Sequence, residues 1–177
     1  MNNIYIIGPF GAGKTTLSKL ISKKLGKELI SLDSIRWSVY EKIGYDLNHV
    51  EQLVKKHKFI DLYRYNRKFE SELVKKVVQN ASNKVVDFGA GHSIIEDDLD
   101  FEYIRNQMKE KGTTIFLDKS YHIGVHSFHP EEVFLNNYFL ASKCNQKLSD
   151  ITITVDNKSK LQVLNKALSA LKSMEVI

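Results

Sequence analysis

Apolar positions recur along the chain with two different periods, and the two alternate. Ile4-Tyr5-Ile6-Ile7 is apolar throughout, as a strand covered on both faces must be, and predicts a strand over 3–7. Leu17, Leu20, Ile21 and Leu25 then repeat at helical spacing and predict a helix over 14–25. A short strand follows at about 28–32, and helical patterns cover about 33–43, 48–57 and 59–81. Gly44-Tyr45-Asp46 separates the first of these from the second. Val85-Val86 centres a strand over 84–88. Leu99, Tyr103, Ile104 and Met108 predict a helix over 98–110, with Gly112 as its C-terminal glycine cap. A strand over 113–117 is followed by an irregular stretch, 119–130, and a helix that starts at Pro130. A strand over 151–155 and a helix over 158–173 close the pattern, with Leu161, Leu164, Leu168 and Leu171 forming the apolar stripe. Strands alternating with helices predict an α/β chain whose parallel sheet is covered on both faces.

Bulk properties narrow the class. At 177 residues the chain is read as one domain, 1–177, with 42% hydrophobic and 27% charged residues, close to globular averages. No apolar run is long enough to span a bilayer, which argues against a membrane protein. The first residues read as a strand, so no signal peptide is expected. A lone cysteine, Cys144, fits a reducing cytoplasm. The net charge of +5 suits an anionic ligand. The pairs Lys23-Lys24, Lys55-Lys56 and Lys75-Lys76 read as solvated helix faces, and no basic run interleaved with aromatics supports nucleic-acid binding.

Chemistry enters at the eighth residue. Gly8-Pro9-Phe10-Gly11-Ala12-Gly13-Lys14-Thr15 fills every fixed position of G-x-x-x-x-G-K-[ST], between a strand and a helix. Glycines let the main chain curl so that its N–H groups form an anion nest. Lys14 is the cation for the β- and γ-phosphates of a nucleotide, and Thr15 offers a hydroxyl to Mg²⁺. Nucleotide contacts are therefore expected from residues Gly8 to Thr15 and from the adjoining Thr16.

Ligands of such sheets bind beyond the carboxyl ends of the strands. The loop, Asp33 and the stretch 88–93 should therefore meet on one rim. Asp33 is read as closing the second strand, eighteen residues after Thr15. It suits a proton acceptor for an attacking hydroxyl, a member of the Mg²⁺ shell, or a helix N-cap. Asp87 suits an acidic group reaching Mg²⁺ through water. Gly89 and Gly91 let the main chain approach a ligand, and His92 reads as a structural histidine. Of four arginines, Arg64 and Arg67 suit the anchoring of an acceptor's anionic group, and Arg67 is spaced to pair with Glu70. His122, His126 and His129 share one segment, without a cysteine or a clear fourth ligand for a metal. The acidic residues Glu96, Asp97, Asp98, Asp100 and Glu102 read as an exposed helix start.

Gly8 to Thr16, the spacing to Asp33, Arg67-x-x-Glu70 and Phe88-Gly89-Ala90-Gly91 together resemble the shikimate kinase group of P-loop small-molecule kinases. Asp33-x-x-Arg36-Trp37, Gly44-Tyr45-Asp46, Asp87 to Ser93 and Asn136 to Asn145 look like features of a divergent branch, described only as AAA-type ATP-binding proteins. The resemblance implies a three-layer P-loop fold with a five-stranded parallel sheet in the order 2-3-1-4-5. It implies ATP and Mg²⁺, with the γ-phosphoryl group passing to a hydroxyl of a small acceptor. It places Lys14 and Asp33 in catalysis. Asp33, Arg67, Gly89, Ala90 and Gly91, together with Arg64, would bind the acceptor. Segment 119–147 would be a lid. The chain departs from the group at Ser31 and Ala90, and it has no arginine after Arg105. Two other readings stay open: a nucleotide-binding module with little catalysis, and a nucleoside or nucleotide kinase in which Tyr63, Tyr65 and Phe69 stack a base.

Overall fold

Residue parity along the first strand decides which layer each side chain joins. In the computed structural model, which describes residues 2–119 and 129–177, β1 (Asn3–Ile7) is buried at every position. Ile4 and Ile6 enter one apolar cluster, and Tyr5 and Ile7 enter another on the opposite face. A strand alternates its side chains between faces, so only a strand covered on both sides can be apolar without interruption.

The elements after β1 are α1 (Lys14–Leu25), β2 (Glu28–Ser31), α2 (Leu32–Tyr40), a 3-10 turn (Glu41–Ile43), α3 (Leu47–Lys55) and α4 (Phe59–Asn80). They continue with β3 (Lys84–Asp87), α5 (Asp98–Lys111), β4 (Gly112–Asp118), α6 (Pro130–Ala141), α7 (Cys144–Leu148), β5 (Ile151–Thr154) and α8 (Lys160–Ser173). The five strands are all parallel in the order β2-β3-β1-β4-β5, as expected. β1 pairs with β3 through Ile6 opposite Asp87, and with β4 through Ile7 opposite Phe116. The carboxyl ends of β1 and β3 therefore lie side by side. One cluster packs Leu17, Ile21, Val163, Ala167 and Leu171 of α1 and α8 on the sheet. The other packs Leu32, Phe69, Leu73, Ile104 and Met108 of α2, α4 and α5 on the opposite face.

The structure corrects four local readings. Asp33 does not close β2; it is the second residue of α2, and Ser31 occupies the N-cap position. Gly112 does end α5 at its C-cap position, but with extended rather than left-handed backbone, because it is also the first residue of β4. A Cβ there would lie 2.4 Å from the Asn3 carbonyl oxygen, so close approach of two central strands explains the glycine. On α5 the buried stripe is Phe101, Ile104 and Met108, while Leu99 is 83% exposed. On α8 it is Val163, Ala167 and Leu171, while Leu161 is exposed. Ala167, a small residue outside the leucine stripe, is fully buried in the cluster against the sheet. The short helix α7 was not expected from the sequence.

Candidate active site

Three of the eight loop residues, Gly8, Gly11 and Gly13, have positive φ, and Gly13 is the left-handed N-cap of α1. Gly8 has φ of 147°, and a Cβ there would meet the Leu117 carbonyl oxygen at 2.6 Å. Backbone conformation and β4 both demand glycine at that position. No side chain caps the start of α1 and no acidic residue stands in its first turn. The helix therefore presents its first N–H groups and the positive end of its dipole to the loop, an anion site ready-made.

Lys14 lies inside this curl. It is 8% exposed, and its Nζ donates to the Pro9 carbonyl oxygen at 2.8 Å. Burial lowers its pKa to about 8, against the opposing pull of Asp87 and Asp33. Asp87, at the end of β3, is 3% exposed. Burial raises its pKa, opposed by a hydrogen bond from Thr15 and by the charge of Lys14. Its Oδ1 has no hydrogen-bond partner. An anionic oxygen left bare beside a threonine hydroxyl, at the mouth of a phosphate loop, fits a hard divalent cation such as Mg²⁺. The donor set thus accepts the metal expected from the sequence.

Asp33 reaches the same rim from α2. Its carboxylate is 59% exposed and its Oδ1 lies 3.7 Å from Arg36 Nη1 and 3.9 Å from His92 Nδ1. Gly89 sits below it. A Cβ at 89 would stand 2.6 Å from Asp33 Oδ1 and 2.4 Å from His92 Nδ1. The glycine is required there because two polar side chains occupy the space a Cβ would take. Ala90 is buried, and Gly91 has its carbonyl oxygen 3.4 Å from Arg67 Nη1.

Arg67, on α4, is held on several sides. Its Nη1 donates to the Ile94 carbonyl oxygen at 2.6 Å, Glu70 pairs with Nη2, and the guanidinium lies 4.2 Å from the Tyr63 ring centroid. Arg64 is 75% exposed and pairs with Asp61 at 3.9 Å, so it stands at the periphery rather than beside the rim carboxylates.

Several residues here carried no clear signal in the sequence. Tyr63 and Tyr138 hydroxyls both donate to Glu96 Oε1, at 2.6 and 2.7 Å. Burial pushes the Glu96 pKa up, but these hydroxyls with Arg67 and Arg64 hold it below the usual range. Glu96 is thus a bridge between α4 and α6, not part of a solvated helix start. Asp100 likewise pairs with Lys75 at 2.7 Å, and Asp97 caps α5 by accepting from the Asp100 N–H. Phe139 stacks on Phe10 of the phosphate loop, with ring centroids 6.4 Å apart, and also packs on Tyr63. The aromatics proposed for base stacking divide differently. Phe69 is fully buried, and Tyr65 packs on it while its hydroxyl accepts from the Asp46 N–H. Both belong to the core, which removes the motive for a base-stacking site on α4.

Beside the loop lies a cleft of about 280 Å³, lined by Gly11, Thr16, Leu20, Lys119, Asn157 and Lys158 with neighbouring residues. Lys119 Nζ donates to the Gly11 carbonyl oxygen at 3.2 Å. His122, His126 and most of the expected lid's first half lie outside the described residues. His129 stacks on His57 at 5.2 Å. Among the described residues no group of three or more His, Cys, Asp and Glu is placed to hold a metal ion. Among them, too, no helix is long and apolar enough to cross a membrane.

Comparison with known proteins points in one direction. The family model for shikimate kinase matches residues 10–172. The shikimate kinase of Dehalococcoides mccartyi is 38% identical over 90 residues, 51% of this chain and 45% of that protein. That of Francisella tularensis is 29% identical over 116 residues, 66% of this chain and 57% of that protein. The chain thus spans about half the length of the curated relatives it matches. Among solved structures, the shikimate kinase of Aquifex aeolicus superposes with a TM-score of 0.65 at 24% identity, covering 98% of each chain. The shikimate kinase of Acinetobacter baumannii in complex with shikimate reaches 0.68 at 19% identity, over 100% of this chain and 96% of that one. At these identities the superpositions establish the fold.

Proposed function

The chain belongs to the shikimate kinase family, and from that membership we propose that it transfers the γ-phosphoryl group of ATP to a hydroxyl of a small, anionic acceptor. One observation carries the reading. Lys14 at the start of α1, Asp87 at the end of β3 and Asp33 in the first turn of α2 share one rim, where both carboxylates favour the charged form of the lysine.

The loop N–H groups and the first turn of α1 hold the β- and γ-phosphates, and Lys14 exchanges the Pro9 carbonyl for a phosphate oxygen. The adjoining cleft, which Thr16 helps to line, takes the rest of the nucleotide. Thr15 and Asp87 would hold Mg²⁺, which when bound would neutralise charge on the phosphate oxygens. Asp33 faces solvent at the rim and orients the acceptor hydroxyl, accepting its proton as the new P–O bond forms. The main chain at Gly89, Ala90 and Gly91 forms the floor of the acceptor site. Arg67 anchors the acceptor's anionic group from the side of Gly91, and Arg64 adds positive potential at the margin. Catalysis of this kind is positioning and charge stabilisation, since the phosphoryl group itself needs little covalent help.

The test is ADP release from Mg·ATP in the presence of hydroxy acids, with shikimate and gluconate first. Release that depends on one of them, and that Lys14→Ala abolishes, is the expected result. Firm ATP binding with no acceptor-dependent release would instead support a nucleotide-binding module.

A further inference from the structure

His92 is the one histidine among the described residues that is fully enclosed. It is 4% exposed, and neither ring nitrogen has a hydrogen-bond partner. Its main-chain N–H is used, donating to the Gly89 carbonyl oxygen at 3.2 Å, so the residue is fixed in a tight turn. A buried imidazole with both nitrogens unpartnered is unfavourable by about 1–3 kcal/mol per group. Packing alone would select an apolar residue at such a position. The carboxylate of Asp33 lies 3.9 Å from the ring's Nδ1. Gly89 is what allows the two to approach, because a Cβ at 89 would collide with both.

Resting on the kinase reading above, we propose that His92 is a positioning residue of the acceptor site, whose Nδ1–H takes up Asp33 Oδ1 and fixes the carboxylate against the acceptor hydroxyl. Asp33 needs such a partner. It stands in the first turn of α2, more than half exposed, and Arg36 competes for the same oxygen from the solvent side at 3.7 Å. Closing the Nδ1 to Oδ1 separation to hydrogen-bond length takes about 1 Å. Being enclosed, His92 is the rigid member of the pair, so the carboxylate moves to the ring. The charged groups around it are Asp33 and Arg36 from α2, Arg67 from α4 and Lys14 from α1. Burial, reinforced by the three cations and opposed by Asp33, lowers the imidazole pKa to about 4. The ring is therefore neutral, with one proton to donate, and the free choice is which nitrogen carries it.

Nitrogen-15 and proton NMR of the whole chain, labelled at histidine, reads that choice without any acceptor. The His92 signals, assigned by their loss in His92→Phe, should show Nδ1 protonated and Nε2 bare, and Asp33→Ala, which removes the hydrogen-bond acceptor, should abolish the preference. A bare Nδ1 in the wild type overturns the inference. The kinetic arm uses Mg·ATP with shikimate as the probe acceptor. His92→Phe should lower kcat roughly 10- to 100-fold at unchanged KM for ATP. His92→Asn, which keeps an N–H near the Nδ1 position, should restore kcat to within about 3-fold of wild type. Equal losses in both variants, or full activity in His92→Phe, would overturn the proposal. A wild type that ignores shikimate but keeps the Asp33-dependent tautomer would remove the kinase reading for that acceptor and leave the pairing intact.

Discussion

Lys14 Nζ is bonded to the carbonyl oxygen of Pro9, five residues back in the same loop. A carbonyl accepts the proton but brings no charge, and the surrounding burial lowers the lysine pKa to about 8. Phosphate oxygens in place of the carbonyl favour the charged form and raise that pKa. Nucleotide binding at pH 8 should therefore take up about half a proton per site. Calorimetry in buffers of different ionisation enthalpy measures this directly. Uptake should fade towards pH 6, where Lys14 is already charged, and vanish in Lys14→Met.

Asp87 is kept in the site at the expense of stability. Its folded pKa is raised by burial, so the folded chain binds this proton more tightly than the unfolded chain does. The protonated form's contribution is present in full below the unfolded value and is lost as pH rises through the folded one. Asp87→Asn should accordingly be more stable at neutral pH, by about 1 kcal/mol or roughly 2–4 °C in Tm. The gain should shrink as pH is lowered towards 4, while Mg²⁺-dependent turnover is lost. A lower Tm at pH 7 would show that Asp87 is a structural ion-pair partner instead.

His92 makes the opposite pH contribution. Its folded pKa is depressed to about 4, below the ordinary value of 6.5. Neutral His92 is accommodated at no charge penalty above pH 6.5, and that stability is lost as pH falls towards 4. Denaturant midpoints between pH 7 and pH 4 should drop less in His92→Phe than in the wild type.

The two glycines of the acceptor floor should differ in their tolerance. Gly89→Ala drives a Cβ to 2.4 Å from His92 and 2.6 Å from Asp33, whereas Gly91→Ala stays 3.4 Å from Arg67. Asp33 is exposed and can yield but the enclosed His92 ring cannot, so Gly89→Ala should cost about 1–3 kcal/mol of stability. It should nevertheless lose most acceptor-dependent turnover while ATP affinity holds. Gly91→Ala should retain the greater part of both. Comparable kinetics for the two variants would contradict the site geometry.

Gly112→Ala tests the sheet itself. Its Cβ would meet the Asn3 carbonyl oxygen at 2.4 Å where β4 lies against β1. The backbone at 112 is extended and suits any residue, so the whole effect is steric. A loss of about 1–3 kcal/mol is expected, read as a lower Tm with nucleotide affinity preserved.

Local chemistry carried most of the architecture. An apolar run of four, short for a helix, reads as a strand with two covered faces, and a completely filled G-x-x-x-x-G-K-[ST] pattern reads as an anion cradle, so β1, the loop and α1 were legible from the chain. The strand order and the meeting of the loop with Asp33 and Asp87 followed from the resemblance and from the rule of the sheet's carboxyl rim. Contacts between distant segments were beyond reach. Nothing near His92 in the chain announces that its ring will be sealed against Asp33, 59 positions earlier. Nor does the acidic run at 96–102 reveal that Glu96 joins Tyr63 to Tyr138. Glycine at 112 does end a helix, but the crowding that demands a glycine there comes from Asn3, 109 positions earlier in the chain. Periodicity and motif are properties of neighbours along the backbone; which side chains lose their water together is decided only when the layers close.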